Sequence, residues 1–386
     1  MQRVSQSPTE DAFVQNPYPF YDSLREKGPL VWWEDYGMPV AASHSLVSAV
    51  LRDRRFGREN PAGLIYPDRL APFYAVEAHS MLELEPPRHT RLRGLVLRAF
   101  TSRRIATLSP EVATLCHALI DDFPEGPFDL LTHYAQKLPV IIIARLLGVP
   151  EAMAPQLLTW SNAMVAMYQA GRSRAQEDAA CQAAAEFSAF LTDYIAQRRA
   201  KPEDDLITSL IAAEEEGAKL STEELITTCI LLLNAGHEAT VHTLGNAIRT
   251  CLLTGSRPGD GPNFTEEVLR HDPPLHLFTR FAMRDLTLKG HDFKEGDQIG
   301  LLLAAANRDP AVYPEPDTFD PHRAAKTHTS FGGGIHFCIG APLARLEIDA
   351  ALPILFERCP RLALHDTPRF ANLYHFHGLD TLTVTK

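Results

Sequence analysis

The residues best suited to chemistry in this chain fall in a few short blocks, the clearest being Phe331-Gly332-Gly333-Gly334-Ile335-His336-Phe337-Cys338-Ile339-Gly340. Consecutive glycines allow a tight turn and a close backbone approach that any Cβ would obstruct. After Cys338 the residues Leu343, Leu346, Ala350 and Leu355 recur at helical spacing, with Pro342 tolerated in the first turn. Cys338 thus stands where a glycine loop enters a helix. Free N–H groups and the positive end of the helix dipole favour a thiolate there. A lone thiolate suits a metal that needs one strong axial ligand, whereas zinc takes three or four ligands and no second Cys lies nearby in sequence. The competing reading is a glycine-rich hairpin around a structural Cys.

A second block lies in Leu231-Leu232-Leu233-Asn234-Ala235-Gly236-His237-Glu238-Ala239-Thr240. Ser221-Thr222-Glu223-Glu224 is a capping signature, and the helix it opens extends to about Leu252, apolar almost all round in its first half. Ala235-Gly236 lets a flat group approach the backbone. Glu238 puts a carboxylate into apolar surroundings, which is costly unless it is paired, hydrated or used. Upstream, His89 and Arg93 share one face of a helix started by Pro86-Pro87 and suit a carboxylate or phosphate. Glu267 and Arg270 form an i,i+3 pair that is weak evidence alone, since Glu85-x-x-Arg88 matches it too.

These blocks need a sizeable scaffold. At 386 residues, with 45% hydrophobic and 22% charged residues, the chain can bury a large core and reads as an ordinary soluble protein. Its net charge of −11 argues against a nucleic-acid binder or a ligand of anionic membranes. The six cysteines lack framework spacing, which predicts a reducing compartment. No apolar run reaches the length that spans a bilayer, so a cytoplasmic location without a membrane anchor is expected. Leu30–Trp33 and Met38–Ala42 read as a hairpin, 59–80 as a long loop, and 107–220 as the helical bulk. Short strands follow around Gly290 and Glu295-Gly296-Asp297.

The Cys338 decapeptide resembles the haem-binding loop of the cytochrome P450 monooxygenases, Phe-Gly-x-Gly-x-His-x-Cys-x-Gly, at all of its fixed residues. The similarity is collinear from about residue 15 to the end. It implies a mainly α fold with small β-sheets, one domain over 1–386 with 1–12 loosely ordered, and haem b between the long helix and the Cys338 loop. In that family Cys338 is the axial ligand and Phe331 and Ala235 lie against haem. His89, Arg93, Arg280 and His336 bind its propionates, and Glu267, Arg270 and Arg323 lock the core. Aspartate usually stands where Glu85 does, a departure expected to have little bearing on haem.

The long helix resembles the family's Ala-Gly-x-Glu/Asp-Thr-Thr segment, in which acid and alcohol relay protons. Here Glu238 is the acid, but Ala239 stands in the alcohol's place and Thr240 follows, about 100° further round the helix. Thr240, ordered water or a substrate hydroxyl are the alternatives. The resemblance implies O2-dependent oxidation of a small organic molecule by a monomer, with electrons from a separate ferredoxin and ferredoxin reductase. A peroxide-driven peroxygenase and a non-catalytic haem sensor or carrier are the rivals. Leu275, His276, Leu277, Phe278, Tyr374 and His375 are expected to shape the substrate pocket, and Met164, Met167 and Tyr168 to lie over it. Arg91, Arg98, Arg103, Arg104 and Arg345 are candidates for a basic docking patch, and a truncated helix is expected in the connector after Thr254.

Overall fold

In the computed structural model, residues 1–63, 65–169, 171–215, 218–324, 327–374 and 376–386 are described; His375 lies outside them. The helix Thr222–Thr254 runs through the middle of the core. Its start is fixed as the sequence predicts: Ser221 and Glu224 cap each other's backbone N–H groups. It ends at Gly255, whose φ of 77° is the left-handed conformation that glycine adopts without strain. Against it pack the helices Lys137–Leu147, Ala154–Val165, Arg174–Ala200 and Ala341–Arg358. Within the stretch expected to be the helical bulk, Leu131–Ala135 is a π-turn and the next α-helix begins at Lys137.

The principal sheet has six strands in the order Gln2–Val4, Val31–Trp33, Met38–Ala41, Gln298–Leu302, Leu277–Ala282 and Phe56–Gly57. The expected hairpin is present, with Val31 opposite Val40 and Trp33 opposite Met38. The N-terminus is not loosely ordered. Gln2–Val4 pairs in parallel with Val31–Trp33, and Arg3 forms an ion pair with Glu34. Phe13, on the following helix Asp11–Gln15, packs among Trp33, Tyr21 and Tyr374. Backbone pairing and aromatic burial order this end, and no composition signal announces either.

Two further expectations change. The 59–80 stretch carries a helix, Ala71–Glu77, that buries Phe73 and Val76. Between Gly255 and the helix Phe264–His271 there are turns, not a truncated helix. No helix among the described residues is long and apolar enough to cross a membrane.

Candidate active site

The Cys338 loop is built from behind. Glu267 and Arg270, both essentially buried, meet through two parallel contacts of 2.7 Å. Arg323 joins Glu267 at 3.3 Å, and the Asp320 N–H donates to the same carboxylate. Arg270 also donates to the carbonyls of Asn307, Pro316 and Thr318. Asn307 then holds Thr329 and Ser330, the residues just before Phe331. The acid–arginine triad thereby fixes the chain that enters the loop.

Within the loop, Gly332 and Gly334 have φ of 67° and 68°. At Gly334 a Cβ would stand 2.4 Å from the Leu51 carbonyl oxygen, so glycine is required twice over. The Cys338 N–H donates to the Phe331 carbonyl at 3.0 Å, and the helix Ala341–Arg358 begins with Pro342 in its first turn. Cys338 is the one exposed cysteine. Its sulfur sits deep in the protein all the same, and burial pushes the thiol up. The N–H groups of Gly340 and Ala341 and the Arg93 guanidinium pull it back. Desolvation outweighs the helix terminus, so the fold alone does not favour the thiolate; a cation on the sulfur would.

A basic cluster adjoins this loop. His89 is 2% exposed and neither ring nitrogen has a partner. Burial, with repulsion from His336 and Arg93, lowers its pKa to about 4. Its ring lies 4.4 Å from that of His336. Arg93 donates to the Phe337 carbonyl at 2.6 Å. Arg280, 2% exposed, donates only to its neighbour's carbonyl, Thr279, and burial lowers its pKa to about 9. Arg58 joins the cluster: its guanidinium and that of Arg280 lie over the Phe278 ring at 4.3 and 5.1 Å. His336 Nε2 is 2.8 Å from Glu85 Oε1, which also accepts the Arg58 backbone N–H. Glu85, expected to matter little, thus orients both, and neither Arg58 nor this link was marked by any motif.

On the long helix, Ala235 is exposed and Glu238, Ala239 and His242 are half-buried, whereas His237, Thr240 and Val241 are buried. The accessible positions share one helical face. Thr240 is not on it. Its hydroxyl is turned to Glu347 of the Cys338 helix, without hydrogen-bond alignment, since both buried Glu347 oxygens lack partners. The helix is continuous here, so the rotation of about 100° for one residue carries Thr240 off the accessible face. Glu238 is flanked by His237 Nε2 at 3.3 Å and His242 Nε2 at 3.5 Å. Burial raises its pKa and the two imidazoles more than reverse that, leaving it well below the ordinary carboxylate range.

The residues expected to shape the pocket are spread over several parts of the fold. Tyr374 is bonded to the Tyr21 hydroxyl at 2.8 Å inside the N-terminal aromatic cluster, and His276 bonds the same Tyr21. Leu277 belongs to the hydrophobic core with Val40 and Leu302. Leu275 bridges to Phe376, and Phe278 lies in the basic cluster. Alternation along the strand sends Leu277 inward and Phe278 outward, a register that sequence cannot assign when both faces are apolar.

Met164 and Met167 are buried in the core, while the Tyr168 hydroxyl donates to Glu77 Oε2 at 3.1 Å, joining the helix Ala71–Glu77 to the Ala166–Tyr168 turn. Burial, with repulsion from Glu83, pushes the Glu77 carboxyl up to about 8. The folded chain therefore holds a proton that the unfolded chain has released, and stability falls as pH rises from about 4.5 to about 8, then levels. Glu77→Gln is expected to flatten that decline. Thermal unfolding measured across this range checks it, and an unchanged slope counts against it.

The family model for Cytochrome P450 matches residues 11–254 and 262–370 of this chain. The gap between these segments falls in the connector of turns after Gly255. The chain is 37% identical over 383 residues to the cytochrome P450 monooxygenase PikC of Streptomyces venezuelae, covering 92% of this chain and 87% of PikC. It is 37% identical over 364 residues to the vitamin D(3) 25-hydroxylase of Pseudonocardia autotrophica, covering 91% and 88%. Among solved structures, P450BioI in complex with an acyl carrier protein carrying hexadec-9Z-enoic acid superposes with a TM-score of 0.90 at 33% identity, covering 97% and 99%.

Proposed function

From the chain's membership of the cytochrome P450 family, which makes it a haem-thiolate monooxygenase, we propose that Cys338 ligates the iron and Glu238 delivers protons. His89, Arg93 and Arg280 would hold the propionates. The observation that carries this is the basic cluster beside Cys338. Among the described residues, His89 has two buried nitrogens without hydrogen-bond partners and Arg280 a buried charge that forms no ion pair, and a carboxylate would relieve both. His336 is engaged by Glu85, so its role is to set the loop and pack its tilted ring against His89.

When bound, the haem supplies the oxidising chemistry: O2 and two electrons place one oxygen atom in the substrate and release the other as water. Cys338 would hold the iron through its sulfur, and as a thiolate it would donate electron density to it. Ala235, exposed on the accessible face, would leave room there for the cofactor. A Cβ at Gly236 would come within 3.0 Å of Ile143, so that glycine instead lets the helix pack closely on its other side. Glu238, kept ionised by the two neighbouring imidazoles, would accept and pass on protons at its carboxylate oxygens.

The partner reading is a separate ferredoxin and its reductase, serving one domain over 1–386 that acts as a monomer in the cytoplasm. The expected arginine patch is weakened, because Arg91, Arg104 and Arg345 are paired with Glu224, Asp204 and Glu266. The relatives' names span different substrates, which fits a common chemistry and a variable pocket. A haem spin-state screen of candidate compounds, followed by turnover with a ferredoxin and reductase, tests the proposal; turnover by peroxide alone would favour the peroxygenase. Ala239→Thr restores a hydroxyl on the accessible face, and product formed per electron pair is expected to change. Coupling unaltered with every substrate would leave the missing alcohol without mechanistic weight.

A further inference from the structure

Segment 272–276 and the C-terminal loop meet at a buried cluster that the oxidation chemistry leaves unused. One oxygen of Asp272 and one ring nitrogen each of His276 and His377 lie within 4.8 Å of one another, and all three residues are buried. Asp272 Oδ1 is 3.2 Å from His377 Nδ1 and 3.9 Å from His276 Nε2. Ligands held about 2.1 Å from a tetrahedral zinc stand about 3.4 Å apart, so small side-chain rotations would bring these three onto one ion. Two imidazoles and a carboxylate suit zinc and its neighbours, whereas calcium and magnesium take oxygen ligands.

The other ring nitrogens are already engaged. His377 Nε2 is 3.2 Å from the Val14 carbonyl, and His276 Nδ1 is 2.9 Å from the Tyr21 hydroxyl. Holding one nitrogen on a carbonyl or hydroxyl while the other takes a metal is how proteins orient histidine ligands. His276 is 0% exposed and its Nε2 has no hydrogen-bond partner among the described residues, a cost that a cation on that nitrogen would remove. The backbone keeps the ligands together. The His377 N–H donates to the Pro274 carbonyl at 2.6 Å, and Asn246 of the long helix donates to the carbonyls of Asp272 and His377 at 3.2 and 2.9 Å. The neighbouring cation, Arg308, lies over the Tyr18 ring and is paired with Asp317 at 3.2 Å.

We propose that Asp272, His276 and His377 form a structural site for a divalent transition cation, with zinc the expected occupant. Three protein ligands leave a fourth position for water or for the Tyr18 hydroxyl, which bonds Asp272 Oδ1 at 2.7 Å. The ion would tie the N-terminal segment carrying Val14 and Tyr21, the chain after the helix Phe264–His271 and the C-terminal loop at one point. It takes no part in the oxidation. Its work is to hold in place a loop whose next residue, Gly378, lies against His242 of the long helix.

Metal content and ligation of the haem-loaded enzyme, expressed with added zinc and washed with chelator, test this. About one zinc per chain is expected, falling about tenfold or more in His276→Gln and in His377→Gln while haem content is unchanged. X-ray absorption at the zinc edge of the wild-type enzyme, which needs no variant to fold, should show a nitrogen and oxygen shell with two imidazoles. Zinc at background level in the wild-type enzyme overturns the site and leaves the Asp272–His377 hydrogen bond alone. Zinc retained in full by both variants overturns it too, as does a shell containing sulfur or four porphyrin nitrogens. Dialysis against a stronger chelator is expected to lower the thermal unfolding midpoint without loss of haem, and an unchanged midpoint overturns the structural role.

Discussion

Arg270→Ala is expected to yield protein that does not retain haem. The substitution leaves Glu267 buried at 3% exposure with only the 3.3 Å contact from Arg323 and the Asp320 N–H. It also frees the carbonyls of Asn307, Pro316 and Thr318, which Arg270 now satisfies. Breaking a buried pair by removing one partner costs about 3–5 kcal/mol, against a total stability of about 5–15 kcal/mol for a domain. The loss is directed at the site, because Asn307 joins this network to Thr329 and Ser330 at the entrance of the Cys338 loop. Arg270→Lys is expected to fail as well, since a point charge cannot reproduce the paired 2.7 Å contacts. The ratio of haem to protein after purification is the measurement, and a normal ratio in Arg270→Ala would refute the assignment.

Cys338→Ser should keep part of the haem but lose turnover and the thiolate-type Soret band of the reduced CO adduct. His89, Arg93 and Arg280, which are proposed to hold the propionates, come from other segments and are untouched by this change. Serine fits the space and keeps the N–H donors of Gly340 and Ala341 in place, but a hydroxyl does not ionise at neutral pH and pushes far less electron density. Burial already holds the cysteine thiol in its protonated form without a cation, so the metal and the thiolate stabilise each other. A thiolate-type band persisting in Cys338→Ser would exclude Cys338 as the axial ligand.

What the sequence determined by itself is the identity of the reactive groups. Three glycines before one cysteine, and an acid in an apolar helix, are local patterns, and their chemistry depends on residue type and on spacing along one element. Residue spacing also placed Glu267 and Arg270 on one helical face, and the helical rotation separated Ala239 from Thr240. Tertiary structure decided which groups meet. Arg58 and Glu85 reach the basic cluster beside Cys338 from separate segments, and His242 is held by a glycine more than a hundred residues further along the chain. Tyr374 is drawn into the N-terminal aromatic cluster because Phe13 and Trp33 supply a face that no local pattern specifies. Such meetings depend on strand register and helix packing, which are set by total burial across the chain. The cysteine loop was therefore legible from its own residues, whereas the meeting of His89, His336 and Glu85 beside it came only with the fold.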